Sequence, residues 1–244
     1  MYLSKSCCTL KPVESNYKPQ GSFFTVKDLE YYSIGDEKDP LILLVYDLAG
    51  KHNNAYQFGD ILASAGYHVI IPDFFRNKPW PLEDWPTKNM DKLIHMATVE
   101  YSFDNKIHED ILLIYDHLNI DRKAPNVGVV GFCWGGKIVF DALKLQVPIF
   151  KAGVAIHPSF IVKESFEAIN QPILFAPTKE EREIMHYFNL IKPELLKESE
   201  MHDFTDNVHG FAATRGDFTD EHNCKRVNDV IKLTADFFSK HLSK

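Results

Sequence analysis

The chain has 244 residues, 45% hydrophobic and 25% charged, with 27 Lys and Arg against 34 Asp and Glu for a formal net charge of −7. That balance leaves no basic footprint for nucleic acid or an anionic membrane surface. No apolar run approaches the length of a membrane-spanning helix, residues 1–8 lack an apolar signal core, and the expected location is the cytoplasm.

Taken in order, residues 1–21 carry Pro12, Pro19 and Gly21 with little periodicity and read as an irregular N-terminal arm. Residues 23–26 and 28–33 read as two short β segments. Residues 40–46, Pro-Leu-Ile-Leu-Leu-Val-Tyr, are the continuous apolar run of a strand buried on both faces. Helical spacing covers residues 54–65 and ends at Gly66; residues 67–71 form the next buried strand, stopped by Pro72-Asp73. A polar, aromatic loop follows over residues 76–89, and residues 91–119 are mostly helical. Residues 126–130 read as a strand, 137–146 as an amphipathic helix, 151–157 as a strand ended by Pro158, and 166–169 as part of a short helix. Strand 172–176, helix 180–190, strand 198–204 and a closing helix over 220–242 complete the chain. Alternation from residue 40 onward predicts an α/β fold, a mostly parallel central sheet with helices on both faces. No repeat or linker divides it, so residues 1–244 are read as a single domain.

The cysteines, Cys7, Cys8, Cys133 and Cys224, form neither a disulfide framework nor a zinc pattern. No metal or other cofactor is expected. Cys7 and Cys8 read as free thiols in the arm, and Cys224 packs on the closing helix. Cys133 differs. It sits in Gly131-Phe132-Cys133-Trp134-Gly135-Gly136, between a strand and a helix, which is the layout of a nucleophile elbow with Cys in place of the usual Ser. A thiol at a helix N-terminus is biased toward thiolate, and the same unpaired N–H groups can hold an oxyanion.

An elbow nucleophile is followed in the chain by an acid after a later strand and then by a His. His209, in Asn207-Val208-His209-Gly210-Phe211, follows the last predicted strand. Of the eleven His, only His209 and His157 lie just past predicted strand ends. Strand 172–176 runs into Pro177-Thr178-Lys179-Glu180-Glu181, with no Asp. Glu181 is the preferred acid and Glu180 the alternative.

On these residues the chain resembles the dienelactone hydrolase family, in its eukaryotic branch, over nearly its whole length. The resemblance rests on Cys7-Cys8, on Ala65-Gly66-Tyr67 through Pro72-Asp73, on the elbow, on His157-Pro158-Ser159-Phe160 and on His209-Gly210-Phe211-Ala212. It implies an α/β-hydrolase fold and a Cys-His-acid triad acting on a small ester or lactone, as in carboxymethylenebutenolidases. Carried across, Cys133 is the nucleophile, His209 the base, and Glu181 stands where the family normally has Asp. Asp47 takes the place of a strand-end carboxylate that helps control the thiol, and the Leu48 amide would join Trp134 in the oxyanion hole. Arg215 follows His209 at a longer spacing than the family's substrate arginine. No Arg occurs over residues 77–121, where another is expected, and Lys88 or Lys92 would replace it only as point charges. Dienelactone itself is therefore a poor fit. His157 and Trp85 are expected to line the pocket, with Trp80 and Phe74 as its roof. The implied partner is a small molecule, on a monomer or weak homodimer.

Two other classes compete. A hydrolase-fold protein without catalysis would bind a ligand or a protein partner, and the absent Asp and arginine favour it. Glycoside hydrolysis needs two facing carboxylates, and no Asp/Glu pair has a clear claim to that role.

Overall fold

The structure is a computed structural model that describes residues 1–4, 11–122 and 125–243. Cys7 and Cys8 lie outside the described residues. Among the described residues, eight strands form one sheet: β1 (Ser22–Val26), β2 (Leu29–Ile34), β3 (Leu41–Val45), β4 (His68–Pro72), β5 (Val127–Phe132), β6 (Ala152–Ile156), β7 (Ile173–Ala176) and β8 (Glu200–Met201). Their order is β1-β2-β4-β3-β5-β6-β7-β8. The β1–β2 and β2–β4 pairings are antiparallel and all others parallel. This is the mostly parallel sheet that the alternating pattern predicts. β3, β5 and β6 are buried along their whole lengths, as continuous apolar runs require when helices cover both faces.

The two faces can be told apart at two glycines. Gly128 on β5 pairs with Ala152 on β6, so residues 128 and 153 face opposite sides. A Cβ at 128 would strike Phe238 of the last helix, α7 (Glu221–His241). One at 153 would strike Val139 and Leu143 of the elbow helix, α4 (Trp134–Leu143). Helix α1 (Asn53–Ser64) packs beside α7. Its Asp60 accepts hydrogen bonds from Tyr17 Oη (2.6 Å), Tyr32 Oη (2.5 Å) and the Gln20 amide (3.0 Å), which pins the irregular arm to this face.

Several predicted elements change in extent. The helical stretch 91–119 is broken. α2 (Met90–His95) runs into a π-type turn, Met96–Glu100, and the chain restarts after Ser102, whose hydroxyl caps Asn105 N, through Phe103–Ile107 into α3 (His108–His117). The helix expected over 137–146 instead begins at Trp134 and ends at Leu143. Asn170 takes the carbonyls of Leu143 and Lys144 and stops it there. The short helix read at 166–169 is α5 (Lys163–Ala168). Helix 180–190 is present as tight 3₁₀ turns, Glu180–Leu190, followed by a short α6 (Pro193–Leu196) that the sequence reading does not contain. Strand 198–204 shrinks to the two residues of β8 because Asp203 Oδ1 accepts from Thr205 N (2.7 Å) and turns the chain. Pairing resumes as a single parallel bridge, Thr178 to Phe204. Cys224 lies partly buried on α7. Among the described residues, no helix is long and apolar enough to cross a membrane.

Candidate active site

β5 ends at Phe132, and Cys133 turns the chain with φ 52° and ψ −110° before α4 begins. A non-glycine residue held there costs roughly 1–3 kcal/mol and persists only where its surroundings enforce it. Three backbone hydrogen bonds do so: Cys133 N to Ile156 O (3.2 Å), Ser159 N to Cys133 O (3.0 Å) and Gly136 N to Cys133 O (3.1 Å). The glycines are required by close approach. A Cβ on Gly131 would lie 2.1 Å from Gly135 O, and one on Gly135 2.2 Å from Val45 O. Since both obstacles are backbone, Gly135→Ala is expected to lower stability by about 3 kcal/mol, measured as a fall in the urea unfolding midpoint.

The same crossing brings the end of β3 against the elbow. Asp47 is buried there, its Oδ1 accepting from Ala49 N (2.9 Å) and its Oδ2 from Thr214 Oγ1 (2.6 Å). Leu48 follows, and its carbonyl accepts from Trp80 N (2.9 Å). Trp134, at the start of α4, anchors its indole by donating Nε1–H to Ala97 O (3.0 Å) and packs at a tilt against Phe75.

His209 and Glu181 come from the two loops beyond β8 and β7. The Thr178–Phe204 bridge and Lys179 N to Asn207 O (3.1 Å) bind these loops together. His209 Nδ1 lies 2.7 Å from Glu181 Oε1, both side chains wholly buried. Glu181 Oε2 accepts from Thr178 N (2.9 Å) and from the Thr178 hydroxyl. Glu180 points elsewhere: its carboxylate takes the Ser4 hydroxyl, and its carbonyl takes Tyr2 Oη at 2.5 Å. Of the two candidate glutamates, then, Glu181 meets the imidazole.

Burial alone would push the His209 imidazolium pKa down. The Cys133 thiolate first, and the Glu181 carboxylate next, more than offset this and raise it to about 10. The site thus favours a thiolate–imidazolium pair with a carboxylate behind it. Cys133 is 3% exposed.

The expected pocket residues fall into two groups. His157 is wholly buried, with its ring centroid 4.7 Å from that of His209. Arg215 stacks over Trp85 at 5.4 Å, and its Nη1 donates toward His209 O (3.4 Å). Trp80 and Phe74 are buried core residues, and Lys92 sits 5.8 Å over the Trp80 ring, while Lys88 is exposed. Arg76, one residue before the stretch without arginines, forks onto Asp110 at 2.5 and 2.8 Å and is committed to that ion pair. Among the described residues, no group of three or more His, Cys, Asp or Glu could hold a metal ion.

Sequence reasoning misses Thr178, Thr214 and Tyr2, whose hydroxyl lies 3.5 Å from Glu181 Oε1. Tyr2 is brought there by an antiparallel bridge to Ile161, which no local pattern announces. Thr178 does carry a signal. Thr178-Lys179-Glu180-Glu181 has capping-box spacing, in which the fourth residue's carboxylate reaches back to the first residue's N–H. Applied to this stretch, that rule selects Glu181 over Glu180.

The family model for the dienelactone hydrolase family matches residues 30–242. The chain belongs to the dienelactone hydrolase family. Similar members include a carboxymethylenebutenolidase homolog of Homo sapiens, 28% identical over 211 residues and 82% of each chain. The hydrolase tropI of Talaromyces stipitatus is 27% identical over 99% of this chain and 98% of its own. An uncharacterised AIM2 family protein of Schizosaccharomyces pombe is 26% identical over 96% and 98%. Among solved structures, a Klebsiella pneumoniae protein named as a dienelactone hydrolase superposes with a TM-score of 0.62 at 18% identity, covering 87% of this chain and 93% of that one. Est1E from Butyrivibrio proteoclasticus gives 0.59 at 12% identity, over 90% and 99%. These neighbours share the fold, which is that of the α/β hydrolases.

Proposed function

We propose that this dienelactone hydrolase family member cleaves a small ester or lactone through a thioacyl-enzyme on Cys133. The observation that supports this most is the His209 imidazole, bonded to Glu181 at 2.7 Å and stabilised as a cation by the Cys133 thiolate. The thiolate attacks the substrate carbonyl carbon, and the carbonyl π electrons move to oxygen, beside the amides of Trp134 and Leu48. Losing one such donor typically adds about 3 kcal/mol to the barrier. As the tetrahedral intermediate collapses, His209 gives its proton to the departing alkoxide. Neutral His209 then takes a proton from water, whose oxygen attacks the thioester; the C–S bond breaks and the thiolate–imidazolium pair is restored. Glu181 holds the ring and stabilises its cation throughout. Arg215, stacked on Trp85, is the group suited to an anionic end of the substrate.

Acid quenching during turnover of p-nitrophenyl acetate should trap an acetyl group on Cys133 alone, after a burst of about one nitrophenolate per chain. No adduct and no burst would overturn the reading. With an alkyl ester or a lactone, whose leaving oxygen is an alkoxide, the rate should also fall at alkaline pH. His209 must be protonated to expel the alkoxide, so kcat/KM declines as pH rises through its pKa of about 10.

One observation favours a binding protein without turnover: Cys133 and His209 are almost completely buried. That reading predicts no acyl adduct on Cys133 with any short ester.

A further inference from the structure

His157 has no role in the steps above, and among the described residues it is the buried side chain with the most unmet polar atoms. Its side chain is wholly buried, and beyond the residue's own backbone neither Nδ1 nor Nε2 has a hydrogen-bond partner among the described residues. Leaving a buried donor or acceptor unmet costs about 1–3 kcal/mol, and such a group calls for a ligand, a water or a chemical role. The backbone adds to the cost, since His157 sits at φ 39° in the left-handed region. It follows β6 directly, where Ile156 pairs with Phe132 and its carbonyl receives the Cys133 amide. The ring is gripped by Phe132 (5.9 Å), Phe211 (5.8 Å) and His209 (4.7 Å between centroids, 59° between planes).

The neighbouring ring is His209, which uses Nδ1 on Glu181 and is paired on its other side with the Cys133 sulfur. Once the sulfur is acylated that pairing is lost, and His209 Nε2 is left as a proton acceptor beside the His157 ring. We propose that His157 is a second imidazole of the active centre that holds the hydrolytic water against His209 Nε2 for attack on the thioacyl-enzyme. This rests on the thioacyl reading above. In the step, the water oxygen forms the new bond to the acyl carbon and one water proton passes to His209 Nε2. The C–S bond electrons return to the Cys133 sulfur, and the carboxylic acid product loses its remaining proton to solvent. His157 donates or accepts a hydrogen bond and keeps its own proton. It is suited to this because burial, and then the adjacent His209 cation, hold its pKa far below the usual value for imidazole. A neutral ring offers one donor and one acceptor, and a second cation beside His209 is avoided.

The test separates acylation from deacylation. Rapid mixing with p-nitrophenyl acetate is compared for wild type, His157→Phe, His157→Asn and His157→Gln, with Cys133→Ala as the blank. Phe keeps a ring but no N–H; Asn and Gln present an amide near the positions of Nδ1 and Nε2 respectively. In the Phe variant, the burst should keep its amplitude and rate while the steady-state rate falls about tenfold or more, the size expected of a misplaced reactant. Added hydroxylamine, which attacks the thioester without water, should restore turnover, and one of the two amides should recover most of the water rate. Burst and steady-state rates falling by the same factor would indicate general disorder of the site and overturn the proposal. So would a Phe variant as fast as wild type, or failure of both amides to recover the rate. If the Phe variant does not fold, His157→Ala takes its place in the same comparison. A wild type without a Cys133-dependent burst would instead remove the thioacyl reading, and the water site with it.

Discussion

Replacing Cys133 with Ala is expected to lower kcat by about four to six orders of magnitude, the range seen when the nucleophile of a triad is deleted. The argument is geometric. Cys133 is the residue at the elbow turn, its backbone is held in a left-handed conformation, and His209 is stabilised as a cation by its thiolate. The other described cysteine, Cys224, lies on α7. Cys133→Ser tests the chemistry more finely. It keeps an oxygen at the turn and so the outline of a serine triad, but a hydroxyl is not ionised at rest. The resting ion pair disappears, and the His209 pKa falls once its main anionic neighbour is gone. Serine should recover part of the lost rate, with His209 now required as a base before attack. Its rate should rise with pH over the range where His209 deprotonates, opposite in sign to wild type at its alkaline limb. An Ala variant retaining wild-type hydrolysis would remove Cys133 from the mechanism.

Glu181→Gln is expected to lower kcat/KM by about two to four orders of magnitude, the upper end being the cost of neutralising a triad acid that fixes the His tautomer. The amide still fits beside Thr178, so the fold should survive. The charge behind His209 is lost, however, and its raised pKa of about 10 owes part of its rise to that charge. Removing an anion destabilises the imidazolium and lowers the pKa. The alkaline limb of kcat/KM must therefore move to lower pH in the variant. Glu180→Gln should leave both the rate and the limb unchanged, because Glu180 is tied to Ser4 rather than to the imidazole. If the two variants lose activity equally, the assignment of Glu181 is wrong. Glu181→Asp is informative in another way. The native carboxylate spans Thr178 and His209 with its two oxygens, and a side chain one methylene shorter should be unable to hold both.

The layered sheet was legible because β3, β5 and β6 are continuous apolar runs with turn residues at each end, and such runs need helices on both faces. The elbow was legible because a turn that sharp can be built only with glycines at 131 and 135. The loop position of His209 followed from chain order. What escaped the sequence was long-range. Nothing local says that Ser102 restarts a helix, that Asp203 ends β8 after two residues, or that Tyr2 crosses the molecule to reach the acid loop. The choice between Glu180 and Glu181 depends on which carboxylate turns inward, and only the capping-box spacing from Thr178 encoded it. His157 was visible as a strand-end residue, but its unmet nitrogens are a property of the packed interior.

The near-complete burial of Cys133 also bears on oxidative chemistry. Oxidation to sulfenic acid and beyond depends on thiolate character and on how readily the oxidant reaches sulfur, and poor access limits the effect of the first. Cys133 as a residue is 3% exposed, whereas Cys224 is partly open to solvent. Peroxide and general thiol reagents should therefore mark Cys224 well before Cys133. Loss of total thiol would be a poor gauge of damage to the site, and a covalent label for Cys133 would have to enter as a substrate does, by presenting a compact carbonyl.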